Sequence, residues 1–179
     1  QLARLLATED LIVEHKKVKT ASFDVSRRLL VLPMWERASD SVYDLLVGHE
    51  VGHALFTPDE DPPKGIPHQF INVTEDARIE KLIKRKYLGL AKTFFRGYRE
   101  LNDDDFFQIA DEEVDEMNLA DRANLFFKIG NFVDISFTEE EQEIIDQIRD
   151  AEIFADACAA AKVLYDYCKN PKEYQDSPI

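Results

Sequence analysis

The sequence predicts an α+β fold, mainly helical, with a small antiparallel sheet at its N-terminal end. Three observations lead there. Two β-rich runs, Ala21–Val25 and Arg28–Leu32, flank the short polar turn Ser26-Arg27, as in a hairpin. From Ser39 onward, apolar residues recur at helical spacing in several long segments. An apolar fraction of 45% in 179 residues is enough to build a core.

The elements follow in chain order. Residues 2–8 open with a short helix, and Leu11–His15 reads as a strand. Pro33 stops the second hairpin strand or marks an edge. Ser39 and Ser41 are both N-cap candidates for a helix reaching Phe56, which Thr57-Pro58 ends. Apolar residues surround that helix, so it is buried on most sides. Gly48 and Gly52 weaken it by about 1 kcal/mol each relative to Ala, and they allow close approach of another element. Asp59–Pro67 is a loop with three prolines. A second helix runs from about Gln69 to Tyr87 with Ile71, Ile79, Leu82 and Ile83 as its apolar stripe. Residues 88–117 read as helical turns joined by solvated loops. Asn118 caps a helix to about Ile129, ending near Gly130. Thr138 and Glu141 form a capping box that opens one long helix to about Cys168. The expected organisation is a single domain over 1–168, with a core at 10–90 and a helical part at 91–168. Residues 169–179 follow as a tail or linker.

Bulk properties exclude several functions. A net charge of −14 repels a phosphate backbone, so nucleic acid is not an expected partner. The basic cluster Lys81, Lys84, Arg85 and Lys86 reads as a solvated helix face. No run of eighteen apolar residues occurs, so no membrane association is expected. Gln1–Leu5 shows no signal-peptide pattern, although a first residue other than Met gives that observation little weight. Cys158 and Cys168 fall ten residues apart in one apparent helix, about 15 Å along its axis, too far to pair with each other. A reducing, cytoplasmic location fits these features.

The residues with chemistry are His49-Glu50-Val51-Gly52-His53. Two histidines four apart on one helix point the same way and can grip one divalent metal. The glutamate after the first histidine then stands beside a metal-activated water as general base. A catalytic zinc takes three protein ligands, so a third is required. Glu75 is the leading candidate because it shares the inward face of Ile71, Ile79 and Leu82; the competing reading is an ion pair with Arg78. Asp76, rotated by about 100°, is an outer partner of a ligand histidine or the alternative ligand. Asn72 and Glu80, one turn either side of Asp76, extend that network. His68, Tyr87 and Tyr98 are candidate oxyanion donors.

The hairpin, then HEVGH, then Asn72-Val73-Thr74-Glu75-Asp76-Ala77-Arg78-Ile79-Glu80 resemble gluzincin-type zinc metallopeptidases. The second motif, N-x-x-E-D-x-R-x-E, is similar to that of a group encoded by tailed bacteriophages or coupled to von Willebrand factor A modules. Residues 10–90 carry the likeness, and no von Willebrand module follows. The resemblance implies a zincin-like domain with one Zn2+ on His49, His53 and Glu75, and Glu50 as general base. It also implies a small sheet, packed on the HEVGH helix, whose edge strand holds an extended peptide or protein substrate. Ile79 departs from the common E-x-x-x-D pattern, which would place Asp there.

The expected activity is peptide-bond hydrolysis, endopeptidase rather than exopeptidase, in the cytoplasm (of a bacterial host if phage-encoded). The alternative is a catalytically silent, zinc-stabilised interaction or assembly module of a phage-like system, completed by a partner protein or further domain. In that case the acidic, aromatic stretch Asp103–Met117 is a partner surface or a lid, against the plainer reading of a solvated face.

Overall fold

The structure is a computed structural model that describes residues 12–16, 22–24, 27, 29–33 and 39–169. The expected opening helix at 2–8 and the tail from 170 lie outside the described residues. The expected α+β class is corrected: the described protein is mainly helical, 66% helix in six α-helices. Among the described residues, the extended segments do not form a purely antiparallel sheet. Among the described residues, extended backbone comprises three short segments, β1 (Ile12–Lys16), β2 (Ser22–Asp24) and β3 (Leu29–Pro33). β2 runs antiparallel to β3, but β1 runs parallel to it, with Ile12 opposite Leu29 and Lys16 opposite Pro33. The continuous apolar run Leu29–Leu32 explains this order, because a run apolar on both faces suits a central position. The order β1-β3-β2 leaves β1 and β2 at the edges.

The helices are α1 (Asp40–Phe56), α2 (His68–Lys86), α3 (Leu90–Asp103), α4 (Leu119–Ile129), α5 (Glu139–Arg149) and α6 (Phe154–Cys168). The chain divides into two compact units. One comprises Gln1–Glu60 and Ile79–Phe107; the other comprises Asp61–Arg78 and Gln108–Ile179. The division falls inside α2, which is a single unbroken helix. No helix among the described residues is long and apolar enough to cross a membrane.

In the first unit, Ser39 caps α1 by accepting from the Val42 amide at 3.1 Å. The same hydroxyl donates to Glu100 of α3 at 2.5 Å. Val42, Leu45, Val47, Val51 and Ala54 are buried on α1, and Leu90, Phe94, Tyr98 and Leu101 form the buried stripe of α3. Full burial of each large apolar side chain contributes about 1.5–3 kcal/mol. Two glycines set the helix spacing. A Cβ at Gly97 would stand 2.6 Å from Cβ of Leu45 and 2.9 Å from the Ser41 carbonyl oxygen, so α3 reaches α1 only with glycine there. A Cβ at Gly52 would stand 2.9 Å from Cδ1 of Ile79, so α1 and the C-terminal half of α2 touch backbone to side chain. The close approach expected at Gly52 is thus present, and it fixes the distance between the histidine helix and α2.

The second unit is built on Phe70 and Ile71 of α2 with Leu119, Ala123, Ile144, Ile145, Ile148, Ala160, Ala161, Leu164 and Cys168. Asn118 caps α4 by accepting from the Asp121 amide at 2.8 Å, and Thr138 with Glu141 makes the expected capping box on α5. The long helix expected over 139–168 is two helices. The Asp156 carboxylate accepts from the amides of Glu152 and Ile153, at 3.0 and 3.1 Å, and so starts α6 afresh. Cys158 and Cys168 both lie buried on α6 as free thiols.

Candidate metal centre

α1 presents His49 and His53 one turn apart on one face. Their ring centroids are 4.8 Å apart with the planes at 74°, and the two Nε2 atoms face each other at 3.2 Å. Two nitrogens bound tetrahedrally to zinc, each about 2.0–2.1 Å from it, stand about 3.3 Å apart. The observed separation therefore fits two imidazoles sharing one ion. The rings are also turned correctly for it. Nδ1 of His49 lies 2.7 Å from Oε2 of Glu80, and Nδ1 of His53 lies 3.0 Å from the Thr57 hydroxyl. A carboxylate only accepts, so it holds the proton on Nδ1 of His49 and leaves the Nε2 lone pair facing His53.

Glu80 comes from the C-terminal half of α2 and is almost fully buried. Its Oε2 also accepts from the Tyr98 hydroxyl of α3 at 2.5 Å. A buried carboxylate needs such donors. The result is a chain of contacts, Tyr98 to Glu80 to His49, in which α3 holds α2's carboxylate and the carboxylate holds the ring. Carboxylate–imidazole pairs of this kind orient metal-ligating histidines and raise their basicity. Glu50 follows His49 on α1 and is half-buried.

The second unit holds the N-terminal half of α2. Glu75 is buried there, as its place on the apolar stripe predicts. Its Oε1 accepts from Nε of Arg78 at 2.6 Å and its Oε2 from Nη2 at 2.7 Å. Arg78 Nη1 also donates to the Glu152 carbonyl at 3.1 Å. Both oxygens of Glu75 are thus engaged by one guanidinium. Asp76, half-buried, accepts at Oδ2 from Nζ of Lys128 at 3.0 Å. Along α2, Asp76 stands four residues before Glu80, one turn away on the same helix face.

The other expected site residues are spread along α2 and α3. His68 is exposed at the first turn of α2, twelve residues and about 18 Å of helix before Glu80. Asn72 is exposed two turns before Glu80, and half-buried Tyr87 follows the last residue of α2, with Nζ of Lys86 5.5 Å from its ring centroid. Tyr98 is buried and gives its hydroxyl to Glu80. Two contributors escape a sequence reading in part. Thr57 backs His53, and its i, i+4 spacing was the available signal. Tyr98 backs Glu80 from another helix, and no periodicity encodes that pairing.

No family model, curated protein or solved structure matches this chain.

Proposed function

We propose that the protein is a zinc-dependent metallopeptidase of gluzincin type that hydrolyses peptide bonds of a protein substrate in the cytoplasm. The observation that carries this reading is the facing pair of Nε2 atoms on His49 and His53 at 3.2 Å, each ring backed at Nδ1. The candidate third ligands, Glu75 and Asp76, both come from α2. Asp76 is preferred to Glu75 as the third ligand for two reasons. Arg78 engages both oxygens of Glu75. Asp76 also stands one helical turn from the carboxylate that backs His49. The spacing Asp76-x-x-x-Glu80 then supplies a ligand carboxylate and an orienting carboxylate one turn apart, one residue along from the pattern that Ile79 interrupts.

When bound, the ion polarises the scissile carbonyl and acidifies a water. Glu50 accepts the proton of the attacking water and passes it to the departing amide nitrogen. Glu80 keeps the His49 proton on Nδ1 throughout, with Tyr98 holding Glu80 in place.

Elemental analysis of the purified protein and cleavage of a peptide library test this together. The expected result is one zinc per chain, with zinc retained and cleavage lost in Glu50→Gln. Zinc should be lost in His53→Ala and Asp76→Asn but kept in Glu75→Gln. Proteolysis by zinc-loaded Glu50→Gln refutes the role of Glu50. Bound zinc with four protein ligands and no cleavage replaces the enzyme with an assembly module.

A further inference from the structure

Between Lys81 and Arg99 the chain carries seven cationic side chains and no carboxylate, in a protein whose net charge is −14. On α3 the charges form an ordered row. Lys92, Arg96 and Arg99 are all exposed, at helical spacings of four and three residues, and with Phe95 they fall within about 100° of arc. Phe95 is 43% exposed, and Leu88, just before the helix, is 80% exposed. Like charges one turn apart destabilise a helix. Elsewhere the protein neutralises exposed cations locally: Lys162 and Lys169 pair with Asp166, Arg149 with Asp146 and Asp150, and Arg27 with Asp24. Lys92, Arg96 and Arg99 take part in no ion pair among the described residues. The acid placed one turn after Arg96 is Glu100, and it takes the Ser39 hydroxyl instead.

We infer that this outward face of α3 docks an acidic polypeptide segment carrying an apolar side chain. Charge and spacing both select that partner. Lys92 and Arg96 are about 6 Å apart along the helix, close to the roughly 6.6 Å between alternate carboxylates of an extended chain. Leu88 and Phe95 supply apolar contact beside the charges, and Arg99 stacks its guanidinium 5.8 Å from the Phe95 ring centroid. The protein's net negative charge does not forbid it, because fields are screened beyond about 8 Å at physiological salt. A nucleic acid strand is a worse fit. It would continue past the row into the end of the same helix, where residues 100–105 carry four carboxylates and no cation. The inference stands independently of the metal centre, since it uses none of its residues.

Fluorescence anisotropy tests it with the whole chain. The probe is a labelled short peptide with alternating Glu and Ser around one central Phe; a thymidine oligonucleotide of equal charge serves as a second probe. The peptide should bind saturably and more weakly as salt rises. Arg96→Glu with Arg99→Glu should weaken it at least about tenfold, and Lys92→Gln with Arg96→Gln should weaken it less. Phe95→Ser should weaken binding without changing its salt dependence, with the helical circular dichroism of all variants unchanged. Absence of saturable peptide binding overturns the inference. So does equal binding by the charge-reversed variant, or tighter binding of the oligonucleotide.

Discussion

Glu75 and Glu80 lie five residues apart on one helix, and both are buried, at 3% and 4% exposure. Their partners separate them. Glu75 is clamped through both oxygens by the guanidinium of Arg78, which returns a full positive charge and closes the group. Glu80 takes its hydrogen bonds from an imidazole and a phenol. The imidazole's other nitrogen faces a second histidine, so whatever Glu80 does to the ring is passed on to that nitrogen. Burial of a carboxylate thus does not distinguish scaffold from site; the chemistry of its donors does. Glu141 repeats the scaffold pattern in the second unit, with both oxygens on Arg122 and the Tyr167 hydroxyl beside them.

The largest expected effect breaks the clamp. Arg78→Ala leaves a buried carboxylate without its cation and should cost about 3–5 kcal/mol of stability, read from urea unfolding. Replacing both partners with apolar residues, Glu75→Met with Arg78→Met, should recover most of that loss. Zinc content should be the same in all of these proteins once folded. If zinc instead disappears with Glu75→Gln and survives Asp76→Asn, the contrast between the two glutamates is reversed and Glu75 is the ligand.

A smaller effect is expected at the other glutamate. Glu80→Gln keeps an acceptor oxygen for His49 but removes the charge behind the ring. Loss of such a partner typically lowers metal affinity by about 10–100-fold. Competition with a chelating dye measures it, and unfolding should show a far smaller change than Arg78→Ala. Tyr98→Phe, which removes one donor from Glu80, should lie between wild type and Glu80→Gln. Unchanged zinc affinity in Glu80→Gln would make Glu80 another scaffold carboxylate.

How much of this was readable in the sequence depends on how local each signal is. The histidine pair is an i, i+4 feature of one helix, and α1 holds it as expected. Caps are equally local, which is why Ser39, Asn118 and Thr138 mark true helix starts. The α5–α6 break was hidden because Ile144, Ile148, Ala151 and Ala155 keep helical spacing across it with no glycine or proline. The side chain of Asp156 makes that break, and such a cap competes with a continuing helix without changing the apolar pattern. The sheet was misjudged because strand runs reveal extended backbone but not the order or direction of pairing. At the site, Glu80 was visible as a neighbour of Asp76 by helix arithmetic, yet its contact with His49 is made across 31 positions of sequence. Tertiary packing through Gly52 and Gly97 brings those helices together, and spacing within any one helix cannot report it.

The mildest perturbation sharpens the contrast through acid. Burial by itself pushes the Glu141 carboxyl up. The hydrogen bonds from Arg122, the Thr138 amide and the Tyr167 hydroxyl, together with the Arg122 charge, outweigh it and hold the group at about 2 against an ordinary 4.5. A carboxyl depressed in the folded state contributes its full stability above its unfolded value, and that contribution drains away as pH falls toward the folded one. Unfolding midpoints should therefore show no Glu141-dependent slope above about pH 5 and fall between about 4.5 and about 2. Amide exchange in α4 and α5 should quicken in the same window, because Arg122 and Glu141 join those two helices. Glu141→Gln should start from a lower plateau and lose that part of the slope. An identical acid slope in the variant would show that the clamp on Glu141 does not set the acid response of these helices.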